Sequence, residues 1–248
     1  YVHLDGPQKM VLLDNEAQII AVTAHTAAGP VVSIVNLHPS CSNLSRVMRT
    51  LRYEEIVDPT CLTVGRPGTK CSDCLYVGYR NRDIGVWDWR SGDLRGVWRG
   101  HQEMPFSICA VGSNIVSVGE DRTARVWNYK GHCISVLQHN DIPKVVTSFG
   151  DHFIVTGTDL GEIIVWDLRK SAKIMTRAVN IDHTKVRDVK VTSDGLILSA
   201  ANDRTCRIWD FRNEISASAL RSSTAEVELP GLERAHEIGL VKKYPISS

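Results

Sequence analysis

Two short apolar runs separated by a polar turn make up the stretch NIVSVGEDRTARVW, residues 114–127. The first run ends at Gly119, a turn of sequence EDR follows, and the second run ends at Trp127. Short runs rich in Val and Ile, bounded by Gly and Asp, are typical of β-strands that are joined by a tight turn. The stretch therefore predicts a β-hairpin whose second strand ends on a tryptophan.

The same tryptophan ending recurs along the chain with a nearly fixed period. Four tryptophans, separated by 40, 39 and 43 residues, close such runs, and they are Trp87, Trp127, Trp166 and Trp209. Three of them are followed by Asp and then, two residues later, by Arg, whereas Trp127 is followed by Asn128. A period near 40 residues with this ending indicates a β-propeller, in which each repeat is one blade of four short strands.

Four residue types keep the same spacing in two of the repeats. The steps from His to Ser to Asp to Trp are 16, 4 and 6 residues in both. The two sets are His101, Ser117, Asp121 and Trp127, and His183, Ser199, Asp203 and Trp209. With these motifs the chain resembles the WD-repeat family over nearly its whole length. The resemblance implies that each set is a buried tetrad, in which Ser accepts from the indole and donates to His, and His contacts Asp.

A His–Ser–Asp set can also indicate a hydrolase triad. Here the set recurs at blade spacing, whereas a catalytic site occurs once, so we interpret the tetrads as structural. The sequence holds no other nucleophile–base constellation, no phosphate-binding loop and no paired carboxylates at plausible spacing. We therefore predict a protein that is not an enzyme and has no cofactor and no metal site.

The repeats predict an all-β fold, a propeller of four-stranded antiparallel blades. Five blades can be placed, at about 10–53, 59–100, 104–139, 143–182 and 184–235. Residues 47–52 fit either the outer strand of the first blade or a short helix, and the repeat register favours the strand. Residues 214–224 are predicted to be a mobile loop.

The two ends of the sequence predict a fragment. His236 repeats the signal that opens a blade, so residues 236–248 are predicted to be the first strand of a further blade. The chain begins with Tyr1 rather than Met. Together these features suggest a piece of a longer propeller with about seven blades.

Basic side chains occupy equivalent turn positions in several repeats. Arginines lie five residues before three of the tryptophans, and the fourth turn has Gly161 there. In the family geometry these turns gather on one face, which predicts a basic rim for an acidic peptide, a phosphorylated motif or a nucleic-acid backbone. The rim residues are Arg80, Arg82, Arg122, Lys185 and Arg204. The alternative is that each Arg pairs with a nearby acid, such as Glu120 or Asp203.

The Trp-Asp-x-Arg endings carry a second candidate function. In WD-repeat substrate receptors of cullin–RING ubiquitin ligases, this tetrapeptide forms part of the surface that docks onto the ligase adaptor. The corresponding residues are Asp167, Arg169, Asp210 and Arg212. The resemblance thus implies an alternative role as a ligase substrate receptor, or as an F-box WD-repeat protein. The opposing interpretation is that each Arg simply pairs with a carboxylate at the blade edge.

Composition limits the remaining function classes. Lys plus Arg total 29 against 28 for Asp plus Glu, so no global field attracts nucleic acid or an anionic membrane. Seven cysteines, an odd number, indicate reduced thiols in an intracellular protein of the cytoplasm or nucleus. We interpret Cys71 and Cys74 as unliganded loop cysteines, with zinc binding and redox chemistry as alternatives.

The leading hypothesis is an interaction scaffold that presents a rigid propeller face to partner proteins or peptides. RNA or chromatin binding through the arginine rim is a lesser alternative, and no membrane partner is expected.

Overall fold

The computed structural model describes residues 9–26, 29–38, 47–53, 57–70, 72–178, 184–212 and 240–245. These residues form twenty β-strands in five antiparallel four-stranded sheets, and each sheet is one blade of a β-propeller. Three blades belong to one compact unit, Tyr1–His139, and two belong to a second, Asn140–Ser248.

Strands that are neighbours along the chain are also neighbours in each sheet. The strands of the first unit are β1 (Met10–Asp14), β2 (Ile19–Thr26), β3 (Gly29–Asn36), β4 (Val47–Leu51), β5 (Pro59–Val64), β6 (Cys74–Tyr79), β7 (Ile84–Asp88), β8 (Leu94–Trp98), β9 (Pro105–Val111), β10 (Asn114–Gly119), β11 (Thr123–Trp127) and β12 (Cys133–Gln138). Those of the second are β13 (Pro143–Phe149), β14 (Phe153–Thr158), β15 (Glu162–Asp167), β16 (Ala172–Ala178), β17 (Val186–Val191), β18 (Leu196–Ala201), β19 (Thr205–Asp210) and β20 (Leu240–Pro245).

The middle strands of a blade are buried on both faces, and the outer strand is not. Every residue of β6 is buried, and five of the six residues of β10 are buried. Such strands read as continuous apolar runs, because neither face of the sheet meets water. The outer strand β12 instead exposes Ile134 and Val136. This gradient explains why the hairpin of residues 114–127 is the clearest signal in the sequence.

The apolar cores of the first unit lie between successive blades. One core joins Ile34 and Leu51 of the first blade to Trp87 of the second. The next joins Tyr76 and Trp98 of the second blade to Trp127 of the third. In this second core the ring centroids of Trp98 and Trp127 are 5.8 Å apart, and those of Tyr76 and Trp98 are 5.0 Å apart. The repeated tryptophan is therefore the residue that packs one blade against the next.

The second unit repeats this arrangement with its own two blades. Val155, Ile163 and Val165 of the fourth blade share a core with Trp209 and Phe211 of the fifth.

The end of the fifth blade differs from the sequence prediction. Val47–Leu51 form an outer strand, β4, as the repeat register indicated for residues 47–52. However, Leu240–Pro245, predicted to open a further blade, pairs antiparallel with β19 as the fourth strand of the fifth blade. The sequence LVKKYP carries two adjacent lysines, which suit the open edge of a sheet better than an inner strand. Three further predictions lie outside the described residues. They are the blade boundary at residue 235, the loop at 214–224 and the blade-opening signal at His236.

The turn at Gly131 provides a test of the packing between blades. Gly131 has φ 85°, and a Cβ there would lie 2.4 Å from Nε1 of Trp98. Gly150 also has a positive φ of 58°, but a Cβ there would meet nothing within 4 Å. We expect Gly150→Ala to lower the free energy of unfolding by about 1 kcal/mol through backbone strain alone. Gly131→Ala should cost about 1–3 kcal/mol more, because Trp98 must move.

Urea denaturation of the two variants measures the difference. Equal losses in the two variants would show that Trp98 is not held against the Gly131 turn.

Candidate functional site

The tetrad of the third blade is a continuous hydrogen-bond chain. Nε1 of Trp127 donates to Oγ of Ser117 over 2.8 Å, and this hydroxyl lies 2.7 Å from Nε2 of His101. Nδ1 of His101 lies 2.9 Å from Oδ2 of Asp121. Since a carboxylate only accepts, His101 donates from Nδ1 to Asp121, and its Nε2 shares a hydrogen bond with the Ser117 hydroxyl. Each member therefore satisfies the next one in the interior.

Asp121 also closes the turn that follows the tetrad strand. Its Oδ2 accepts from the backbone N–H of Gln102 at 2.9 Å, and its Oδ1 accepts from the hydroxyl of Thr123 at 2.7 Å. Burial raises the pKa of Asp121, but the hydrogen bond and the charge of His101, together with these donors, outweigh burial and hold this pKa well below its ordinary value. The carboxylate is thus a charged anchor for the turn.

The order of groups in the tetrad matches that of a hydrolase triad, but the burial does not. The Ser117 residue has no exposed surface, and the side chain of His101 has none either. A substrate carbonyl cannot reach a hydroxyl that is enclosed between an indole and an imidazole. The geometry of these three residues is that of a structural staple.

The fifth blade contains part of the same arrangement. Nε1 of Trp209 donates to Oγ of Ser199 over 2.9 Å, and Oδ1 of Asp203 accepts from the hydroxyl of Thr205 at 2.8 Å. The other oxygen of Asp203 receives the guanidinium of Arg207, whose side chain is only 5% exposed. His183, the predicted fourth member, lies outside the described residues.

The other two tryptophans use different acceptors. Nε1 of Trp166 donates to the hydroxyl of Thr156 over 3.3 Å, as the spacing of the repeat indicates. Nε1 of Trp87 donates instead to the hydroxyl of Tyr79 over 3.1 Å, because the repeat position of the serine is Val77. Gly85 provides the space for this hydrogen bond, since a Cβ there would lie 2.9 Å from both the indole nitrogen and the Tyr79 ring.

Sequence reasoning missed Tyr79, although a signal was present. Residues two apart in a strand share a face, so Tyr79 lies on the same face as Val77. Tyr53 stacks on Tyr79 with ring centroids 4.6 Å apart and donates to Oδ2 of Asp83 over 2.9 Å. Burial and this hydrogen bond raise the pKa of Tyr53 to about 12. In the second blade Tyr79 therefore replaces serine as the acceptor of the indole N–H, and Tyr53 packs against it and binds an aspartate.

The predicted rim arginines share an unusual backbone conformation. Arg82, Arg122 and Arg204 have φ values of 78°, 59° and 60°, and Gly161 at the equivalent turn position has φ 88°. Glycine adopts this left-handed region freely, whereas other L-residues are strained there. All three arginines are exposed.

The contacts of the rim residues differ from one residue to the next. Nη1 of Arg82 donates to the carbonyl of Gln102 over 3.3 Å. Arg80 lies 3.9 Å from Asp58, and Lys185 lies 2.5 Å from Asp159. Within the described part of the chain, neither Arg122 nor Arg204 forms an ion pair. The alternative, in which each rim residue pairs with a nearby acid, therefore holds for Arg80 and Lys185. It does not hold for Arg204, since Asp203 binds Arg207.

Comparison with known proteins agrees with this architecture. The family model described as "WD domain, G-beta repeat" matches residues 92–128 and 176–210. These two segments are WD repeats, which confirms the resemblance seen in the sequence. The matched segments end at or next to Trp127 and Trp209, whose tetrad positions agree best with the repeat.

Three curated WD-repeat relatives show how much of such proteins the chain spans. Autophagy-related protein 16 of Arabidopsis thaliana is 26% identical over 58% of this chain. Eukaryotic translation initiation factor 3 subunit I of Drosophila virilis is 33% identical over 32%, and nuclear distribution protein PAC1 of Arthroderma otae is 25% identical over 52%. The matches cover 29%, 23% and 31% of these relatives, so the chain spans less than a third of each. WD-repeat propellers in general hold protein partners and are not enzymes.

In two of the three Trp-Asp-x-Arg endings the arginine pairs with the aspartate of the same ending, whereas Arg90 of the third lies near Asp73. Nε and Nη2 of Arg169 donate to the two oxygens of Asp167 over 2.9 and 2.6 Å. Arg212 makes the same bidentate pair with Asp210, at 2.9 and 2.5 Å. The hydrogen bonds from Arg212 lower the pKa of Asp210. This geometry is the simple pairing at the blade edge that the sequence left as one of two interpretations.

The cysteines show no shared site in the described part of the chain. Cys71 lies outside the described residues, and Cys74 is the buried first residue of β6, beside Nη1 of Arg95 at 3.7 Å. Burial raises the pKa of the Cys61 thiol to about 11. Among the described residues, no group of three or more His, Cys, Asp or Glu side chains is arranged to hold a metal, and no helix has the length and apolarity to cross a membrane.

The tetrad can be tested through Asp121. Replacing Asp121 with Ala leaves the buried N–H of His101 without an acceptor, so we expect the free energy of unfolding at pH 7 to fall by about 1–3 kcal/mol. Because folding lowers the pKa of Asp121, its contribution is complete above about pH 4 and is lost as the pH falls through the lower, folded value. The gap between wild type and variant should therefore shrink in acid, as measured by urea denaturation at several pH values.

Leu160 provides the matched control for this experiment. It holds the equivalent position in the fourth blade and is 53% exposed, so Leu160→Ala should change stability by less than about 0.5 kcal/mol at any pH. A gap between wild type and Asp121→Ala that stays constant with pH would contradict the charged anchor.

Proposed function

We propose that this WD-repeat chain is an interaction scaffold that binds acidic or phosphorylated segments of partner proteins through its turn arginines, Arg82, Arg122 and Arg204. The observation that carries the proposal is their shared left-handed backbone, with φ between 59° and 78°. The guanidinium groups are exposed at the same turn of three different blades.

Stability does not account for arginine at these positions. A left-handed conformation costs a non-glycine residue roughly 1–2 kcal/mol. Gly161 closes the equivalent turn of the fourth blade without that cost. Because the three arginines are exposed, burial of their side chains gives little in return. Backbone strain that packing does not repay is typical of binding surfaces.

The guanidinium group of arginine determines which class of partner can bind. Guanidinium binds carboxylate and phosphate through two parallel hydrogen bonds, which an ammonium cannot do. Arg122 and Arg204 have no ion pair within the described residues, so they are available to an external anion. With 29 basic against 28 acidic residues, attraction is local to the turns, which suits a short acidic segment better than a long nucleic-acid backbone.

One relative supports a role in assemblies by its name, as a subunit of translation initiation factor 3. The five cysteines that the structure describes are thiols rather than disulfides, which supports the proposed intracellular location. The ligase-receptor alternative gains no such support. A guanidinium that already binds its own aspartate, as in Arg169 and Arg212, must give up that pair before it can bind an adaptor.

Replacing a turn arginine with glycine separates binding from stability. For Arg122→Gly we expect an unchanged free energy of unfolding or a gain of up to about 1 kcal/mol, since relief of strain is partly offset by glycine's larger chain entropy. Affinity for a fluorescein-labelled deca-glutamate peptide should fall by up to about fivefold, as for loss of one exposed ion pair. Fluorescence anisotropy at low salt measures the affinity, and urea denaturation measures the stability.

The fourth turn offers the complementary variant. Gly161→Arg should lower stability by about 1 kcal/mol and increase the affinity for the same peptide. If Arg122→Gly instead destabilised the protein with no change in affinity, the arginine would be structural. If poly(U) RNA were bound more tightly than the peptide and lost affinity in the same variant, the partner class would be nucleic acid.

A further inference from the structure

Each Trp-Asp ending caps the turn that follows its strand. Oδ1 of Asp167 accepts from the backbone N–H of Arg169 at 3.0 Å, and Oδ1 of Asp210 accepts from that of Arg212 at 3.0 Å. Oδ1 of Asp88 accepts in the same way from Arg90 at 2.9 Å. In all three turns the second carboxylate oxygen binds a guanidinium. The aspartate therefore has two tasks: it closes the turn and it neutralises an arginine.

The third blade keeps the first task and loses the second. Oδ1 of Asn128 accepts from the backbone N–H groups of Lys130 and His132, both at 3.0 Å. The turn is closed as in the other blades, but the amide carries no charge. Lys130 stands three residues after its tryptophan, as Arg169 and Arg212 do, and it has no carboxylate partner in the described part of the chain.

A second lysine reaches the same turn from the neighbouring blade. Nζ of Lys70, in the loop between β5 and β6, lies 4.7 Å from the ring centroid of Tyr129, and Nζ of Lys130 lies 5.8 Å from it. Both lysines are exposed, and Tyr129 is 43% exposed. The nearest acid in that loop, Asp73, lies 3.8 Å from Arg90. Two ammonium groups thus lie near the ring that follows Asn128, the position at which the three Trp-Asp turns have a carboxylate.

We propose that the Asn128 turn, formed by Lys70, Asn128, Tyr129 and Lys130, is a docking site for an acidic segment of a partner protein. A carboxylate of the partner supplies the negative charge that an aspartate supplies in the three blades with a Trp-Asp turn. The turn lies at the opposite end of the strands from Arg122, because one connects β11 to β12 and the other connects β10 to β11. The site is therefore separate from the turn arginines and does not depend on their role.

The observations favour a protein segment over other anionic partners. The face of Tyr129 is already occupied by ammonium groups, so it offers no free platform on which a base of single-stranded RNA could stack. Binding to an anionic membrane takes clusters of four to eight basic residues, and the turn supplies two. A carboxylate is also the group that the equivalent turns hold inside this same chain.

The decisive variant is Asn128→Asp, which restores the internal carboxylate of the other blades. It should fold normally, because Asp closes the same turn at three other positions. We expect the affinity for fluorescein-labelled deca-glutamate to fall by about three- to fivefold, as when one exposed ion pair is lost. Asn15→Asp makes the same substitution in the exposed turn between β1 and β2 of the first blade and should leave the affinity unchanged. Lys130→Gln and Lys70→Gln should each reproduce the loss.

The measurements are repeated in an Arg122→Gly background, so that the two surfaces are separated. If the site exists, Asn128→Asp weakens binding by the same factor in both backgrounds. If Asn128→Asp and Asn15→Asp have equal effects, only net charge matters and the proposal is wrong. It is also wrong if poly(U) RNA or phosphatidylserine vesicles, and not the peptide, respond to Asn128→Asp.

Discussion

The burial of an indole N–H between blades is the constraint on which the described structure depends. Trp87, Trp127 and Trp209 lie in the cores that join one blade to the next, and a buried indole N–H without an acceptor costs about 1–3 kcal/mol. Each of the four blades that contain the repeated Trp therefore supplies a hydroxyl, on the strand next to the Trp, that accepts from the indole N–H. Ser, Thr and Tyr all serve, which shows that the required feature is the hydroxyl and not a particular residue.

This requirement fixes where function can lie. The residues that most resemble a catalytic set in the sequence are His101, Ser117 and Asp121. They bond to one another inside the third blade and are not accessible to a partner. The turns at the two ends of the strands remain free to vary, provided that they close. Arg122 closes one turn at the cost of backbone strain, and Asn128 closes another without supplying a charge. In both turns, a residue that satisfies the backbone leaves a positive charge that has no carboxylate partner among the described residues.

Local spacing predicted the tetrads because each link lies within one blade. The fixed steps from His to Trp depend only on strand length and turn type, so Ser117 and Ser199 could be assigned without a structure. Tyr79 was missed because an acceptor two residues away serves equally well once Gly85 leaves room. The pairing of β20 with β19 was missed because an interval of 29 residues separates them, and strand pairing across such an interval leaves no local pattern.

The sequence by itself determined the all-β fold, the four-stranded blade and the serine acceptors of Trp127 and Trp209, because all of these follow from the short-range repeat. Only the tertiary structure decided which charges are paired. Arg169 and Arg212 form ion pairs with Asp167 and Asp210, whereas Arg122 forms none within the described residues. Lys70 contacts the ring of Tyr129 in another blade. Charge pairing depends on distances of a few ångströms between side chains from different turns, and these distances exist only once the blades have packed together.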